Sequence, residues 1–132
     1  MIQQFEIGTK GIVQKRITRE DTALNFGSGA LKNLLATPTL AALMIEAAVK
    51  AIDPKLPQGF ITIGKTLDIN HENPTVQGMT CTVSAELVEQ NENKLVFDIT
   101  AYDELGQIGK GKHERYIVNR DILMIKVDER CR

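Results

Sequence analysis

ATPTLAALMIEAAVKAIDPKLP, residues 36–57, is the one segment of this chain that reads as a long helix. Thr37 followed by Pro38 is a helix-start signal, because threonine caps helices and proline suits the first helical position. Leu40 to Ile52 is alanine-rich and strongly helix-forming, and Pro54 and Pro57 end it. Ala42, Glu46, Lys50 and Asp53 share a face by three- and four-residue spacing, with Glu46 and Lys50 placed as an i,i+4 pair. Leu40, Ala41, Met44, Ile45, Ala48 and Ile52 occupy the remaining surface. A helix this apolar is expected to be wrapped by other structure, with Ile45 among its buried residues.

Downstream of Gly59 the period changes to two. Ile61, Ile63, Leu67 and Ile69 alternate in one run, which closes at His71. Met79, Cys81, Val83, Ala85 and Leu87 alternate in a second, Leu95, Phe97, Ile99 and Ala101 in a third, and a fourth spans Gln107 to Val118. The connections Glu89–Asn93 and Asp103–Gly106 are short and polar, as antiparallel hairpins require. Upstream, Phe5 to Thr18 reads as one strand, and Asp21 to Leu35, with Gly27, Ser28 and Gly29, as a loop or short helix. Asp121 to Arg132 stays open between helix and strand. The order is therefore strand, long helix, four antiparallel strands. This predicts an α+β fold in which a sheet wraps one apolar helix. A sheet of that kind has an exposed edge, and pairing it with a second copy makes a homodimer the expected state.

The totals agree with a single domain over residues 1–132, large enough to fold without staples. With 42% apolar and 25% charged residues and a formal net charge of −1, the chain is an ordinary globular protein, not a nucleic-acid binder. No apolar run approaches the roughly 20 residues of a membrane span, and the first ten residues lack a secretory signal's organisation. A cytoplasmic location is expected. Cys81 reads as core and Cys131 as a loose tail. Two cysteines and two histidines, scattered along the chain, make neither a disulfide framework nor a zinc site, so no metal is expected. GSGALKN, residues 27–33, lacks the spacing of a phosphate-binding loop.

Three segments carry a resemblance: ATPTLAALMIEAAVKAI, GKTLDINH and TCTVSAELVEQNENKLVFDITAYDELGQIGKGKHER. Together, from about Thr37 to Val118, they resemble the hotdog thioesterases of the fluoroacetyl-CoA thioesterase type. The resemblance implies a hotdog fold and hydrolysis of a small acyl-CoA thioester at a site on a dimer interface. Coenzyme A would enter as part of the substrate, with no separate cofactor. The resemblance carries the family's catalytic threonine to Thr37 and its histidine to His71, a substrate-side glycine to Gly64, and an arginine near the site to Arg115. In the same register the family's helix glutamate falls on Ile45. The neighbouring acid, Glu46, points about 100° away and inherits the role only if the helix register shifts by one.

Each of these residues has a plainer structural reading. Thr37 is either a reacting group or the cap of its helix; in both cases the free N–H groups at the helix start could hold an oxyanion. His71 is a proton shuttle or a hydrogen-bonded residue at a strand end. Arg115 shares a strand face with Gly109, Gly111 and His113, and meets either a ligand anion or Glu46 or Asp68. Lys110 and Lys112, on the opposite face, read as solvated charge. Three functions follow: an acyl-CoA thioesterase working without the helix acid, a non-catalytic module that binds acyl-CoA or a related ligand, or another hotdog enzyme such as a dehydratase. The missing acid counts against the last.

Overall fold

The computed structural model describes residues 2–132. Its elements are β1 (Lys10–Arg16), α1 (Thr37–Ile52), β2 (Phe60–His71), β3 (Thr80–Asn91), β4 (Lys94–Asp103), β5 (Gly106–Asn119) and α2 (Arg120–Arg130). The five strands form one antiparallel sheet in the order β1-β3-β4-β5-β2. β1 and β2 are its edges. The hairpins fall where the short polar connections were expected. The first turns through Glu92, which has a positive φ of 56°, and the second through Gly106 at 132°.

Helix α1 lies against the concave face and touches all five strands. Leu40, Leu43, Met44, Ala47, Ala48, Ala51 and Ile52 are buried, a stripe at three- and four-residue spacing. They meet Cys81, Val83, Ala85 and Leu87 from β3 and Leu95, Phe97, Ile99 and Ala101 from β4. Both strand alternations are as read from the sequence. The glycines of β5 permit this approach: a Cβ on Gly111 would come within 3.0 Å of Met44 Sδ, and one on Gly109 within 3.3 Å of Leu40 Cδ2.

Several expectations need correction. The first strand is shorter than Phe5–Thr18. The tail is helical, and α2 buries no residue. Ile45 is 37% exposed, not buried with the core, because only one stripe of α1 faces the sheet. Glu46 and Lys50 do not pair; Lys50 Nζ instead donates to Ile12 O at 3.0 Å. The simple alternation expected for β2 is broken by a register shift between Gly64 and Thr66. The extra residue reverses the faces. Thr62 and Gly64 therefore share the concave side with Leu67, Ile69 and His71, opposite Ile117, Arg115, His113, Gly111 and Gly109 of β5. Ile61 and Ile63 point the other way.

Candidate active site

Thr37 is the first residue of α1. The N-cap is Ala36, and no side chain caps the helix, so the reading of Thr37 as a cap is not what the fold uses. Its hydroxyl is free to do something else. Thr37 Oγ1 lies 2.7 Å from His71 Nδ1. Leu40 N–H is the first amide of the helix to find a carbonyl, Ala36 O at 3.1 Å. The N–H groups of Thr37 and Thr39 therefore have no helical acceptor, and Pro38 contributes none.

His71 closes β2 and is held there by the facing stretch of β5. It pairs with Gly109, and the following amides of Glu72 and Asn73 both donate to Ile108 O, at 2.7 and 3.0 Å. Asn73 Nδ2 adds a bond of 2.9 Å to Gln107 O. Burial lowers the His71 pKa below its ordinary value, so the imidazole favours its neutral form. With the Thr37 hydroxyl donating to Nδ1, the ring proton sits on Nε2. That Nε2 is buried and has no partner among the described residues.

Beside the pair opens a cavity of about 500 Å³. Thr37, Pro38, His71 and Pro74 form one wall, and Phe26, Leu31 and Leu34 the other. The segment supplying the second wall is tied at its base. Ala23 N–H donates to Leu34 O at 2.9 Å, and Leu35 N–H to Thr75 O at 2.8 Å.

Gly64 and Arg115 lie elsewhere. They are cross-strand partners, as His71 and Gly109 are, but Arg115 is six positions along β5 from Gly109. At about 3.3 Å per residue that is about 20 Å. Arg115 is buried and fully engaged on one side. Nε donates to Thr62 Oγ1 and Nη2 to Thr62 O, both at 2.8 Å, and Nη1 reaches His113 Nε2 at 3.2 Å. Thr62 in turn donates its hydroxyl to Asp53. His113 Nδ1 lies 2.7 Å from Thr66 O. Among the described residues Arg115 makes no ion pair with Glu46 or Asp68, the partners weighed from the sequence. A Cβ on Gly64 would sit 3.3 Å from Arg115 Nη1, so the glycine leaves the guanidinium uncovered.

Ile45 follows Thr37 and Ala41 on one helix stripe, eight residues or about 12 Å along the axis. Glu46 is exposed beside it. The predicted residues thus form two groups: Thr37 with His71, and Gly64 with Arg115. Ile45 lies on the open helix face. Sequence reasoning missed Thr62 and Asp53, which hold the arginine, since a bulge is needed to turn Thr62 inward. It also missed the apolar cavity wall, although Phe26 and Leu31 flank the glycines that marked the loop.

Three comparisons bear on this geometry. The family model for FlK, fluoroacetyl-CoA-specific thioesterase, matches residues 17–121. A fluoroacetyl-CoA thioesterase from Streptantibioticus cattleyicolor is 32% identical over 97 residues, covering 74% of this chain and 70% of its own. Among solved structures, a hot-dog-like protein from Thermanaerovibrio acidaminovorans superposes with a TM-score of 0.89 at 30% identity, covering 96% of this chain and 93% of that one. A mutant of the fluoroacetyl-CoA-specific thioesterase FlK, in complex with fluoroacetate and CoA, superposes with a TM-score of 0.83 at 26% identity, over 90% of this chain and 99% of that one. The sheet wrapped on α1 is a hotdog fold.

Proposed function

This chain belongs to the fluoroacetyl-CoA-specific thioesterase family, and from that premise we propose that it hydrolyses an acyl-CoA thioester with Thr37 and His71 as its reacting groups. The observation that carries the reading is the 2.7 Å contact between Thr37 Oγ1 and His71 Nδ1. It is the geometry of a hydroxyl nucleophile and its base. Thr37 Oγ1 attacks the thioester carbonyl as its proton passes to Nδ1. The tetrahedral oxyanion forms at the amino end of α1, where free amides and the helix dipole favour negative charge. Collapse expels the thiolate of coenzyme A, which takes the proton from His71. Water then attacks the acyl-threonine with His71 as base. The carboxylic acid leaves and the proton returns to Thr37. No resident cofactor is needed; coenzyme A enters with the substrate.

The second group of residues belongs to the same site through a second copy of the chain. β2 presents twelve residues with no neighbour on its outer edge. An edge that long favours pairing, and two-fold pairing is the commonest solution. A two-fold axis near Leu67 and Asp68, midway between Gly64 and His71, sets one copy's His71 against the partner's Gly64 and Arg115. The bulge supports this, because it keeps Gly64 on the face that His71 uses. The exposed Ala42 and Ile45 would be covered in the same step. We therefore propose a homodimer with two composite sites. A cytoplasmic setting accompanies it: Cys81 and Cys131 are free thiols, as reducing compartments favour. Among the described residues no helix is long and apolar enough to cross a membrane.

Ile45 favours one rival, a module that binds acyl-CoA without turning it over. Hydrolysis assays on purified protein decide between them. Turnover above the buffer rate, lost in Thr37→Ala and His71→Ala, is the expected result, with an acyl adduct on Thr37 seen by mass spectrometry. Tight binding of a coenzyme A ester with no turnover would establish the module instead.

A further inference from the structure

Resting on hydrolysis at Thr37 and His71, we infer that the acyl group selected here is an apolar chain of about six carbons or more, uncharged at its far end and far larger than a two-carbon unit. The cavity beside the pair measures about 500 Å³. At about 30 Å³ per heavy atom, the share a water takes in the liquid, a two-carbon acyl group fills only a small corner of it. The rest would be water against Phe26, Leu31, Leu34 and Pro74. An eight-carbon chain fills about half of the space and displaces that water. The walls are otherwise left wet: Phe26 is 39% and Leu31 58% exposed. Apolar side chains of that size gathered at the mouth of one cavity are the mark of a ligand surface.

The charges around the cavity sharpen the class. No lysine or arginine lines it. Its one carboxylate, Glu72, receives a bond of 3.0 Å from Gln107 Nε2. An acyl chain ending in a carboxylate would lose its hydration there, find no cation, and face a like charge. Arg115 of the same chain is about 20 Å away along β5, and the partner's Arg115, set beside His71 in the proposed dimer, stands at the thioester end of the site and not at the Phe26 and Leu31 wall. The selected acyl chain is therefore uncharged where it meets Phe26 and Leu31.

Chain-length profiling tests this directly. Saturated esters from acetyl-CoA to decanoyl-CoA should show kcat/KM rising about two- to fourfold per methylene until the cavity is full. Adipyl-CoA, whose carboxylate would reach the Phe26 and Leu31 wall, should fall at least about a hundredfold below hexanoyl-CoA of the same length. In Leu31→Ser and Ala30→Phe, which strip and fill the wall, the octanoyl-to-acetyl ratio should drop about fivefold or more, with melting curves checking the fold. A flat or falling profile, with the pantetheine arm occupying the cavity, overturns the inference while leaving the hydrolase reading intact. If no ester is turned over, the hydrolase reading fails. The inference is then judged by calorimetry with the same esters, and equal affinity for acetyl and octanoyl esters ends it.

Discussion

In the proposed mechanism His71 is the residue that moves the proton, and its burial sets the pH at which it would work. A desolvated imidazole protonates only at lower pH than a free one. It can accept the Thr37 proton only while neutral. The acidic limb of kcat/KM is thus expected below the ordinary histidine value of 6.5, and a limb at or above 6.5 contradicts the assignment. The same shift has a stability sign. His113 is also lowered, by burial first and by the Arg115 charge as a lesser cause. As pH falls below 6.5 the unfolded chain protonates both rings while the folded chain still resists, so stability drops through that window and is flat above it. Ile45, which the resemblance sets where the family has an acid, is the second residue to test. Without the family's acid, hydrolysis is expected to be about 10²–10⁴-fold below what a complete site gives. Ile45→Glu should raise kcat by tenfold or more, and Glu46→Gln should leave it unchanged. The opposite pattern in steady-state kinetics would mean that Glu46 holds the acid's place.

Among the elements, β2 and α2 differ most in how much depends on them. β2 supplies His71 and Gly64 and owes their common face to one extra residue near Lys65. Its periodicity from the sequence places Ile61 and Ile63 with Leu67 and Ile69, and the bulge separates them. α2 is the reverse case. It buries nothing, although Ile122, Met124 and Ile125 are about half exposed or more. Truncation after Arg120 should shift the melting temperature by about 2 °C or less. A larger loss in thermal melts would mean that a second copy covers this helix.

For the whole molecule, the separation of Thr37 and His71 from Arg115 within one chain is the central fact. Mixing offers a decisive measurement. In the proposed homodimer, His71→Ala and Arg115→Ala should each leave little activity. After exchange of subunits, half of the dimers carry one intact composite site, and activity should recover to about a quarter of wild type. No recovery, with exchange demonstrated by native mass spectrometry, would place both groups in separate roles within each chain.

The helix, the succession of elements along the chain, both hairpins and the inward residues of β3 and β4 were legible in the sequence, because each depends on spacing between near neighbours. So was the likeness that picked out Thr37 and His71. Tertiary structure alone decided the rest. Thr37 lies inside the helix, with Ala36 as the cap, and its hydroxyl meets the end of β2, 34 residues later in the chain. Arg115 finds Thr62 instead of an acid because a bulge turns that threonine inward. Ile45 faces outward because the sheet covers only one stripe of α1. Periodicity is a property of adjacent residues, whereas the meeting of Thr37 with His71 depends on how distant strands pair, which no local pattern encodes.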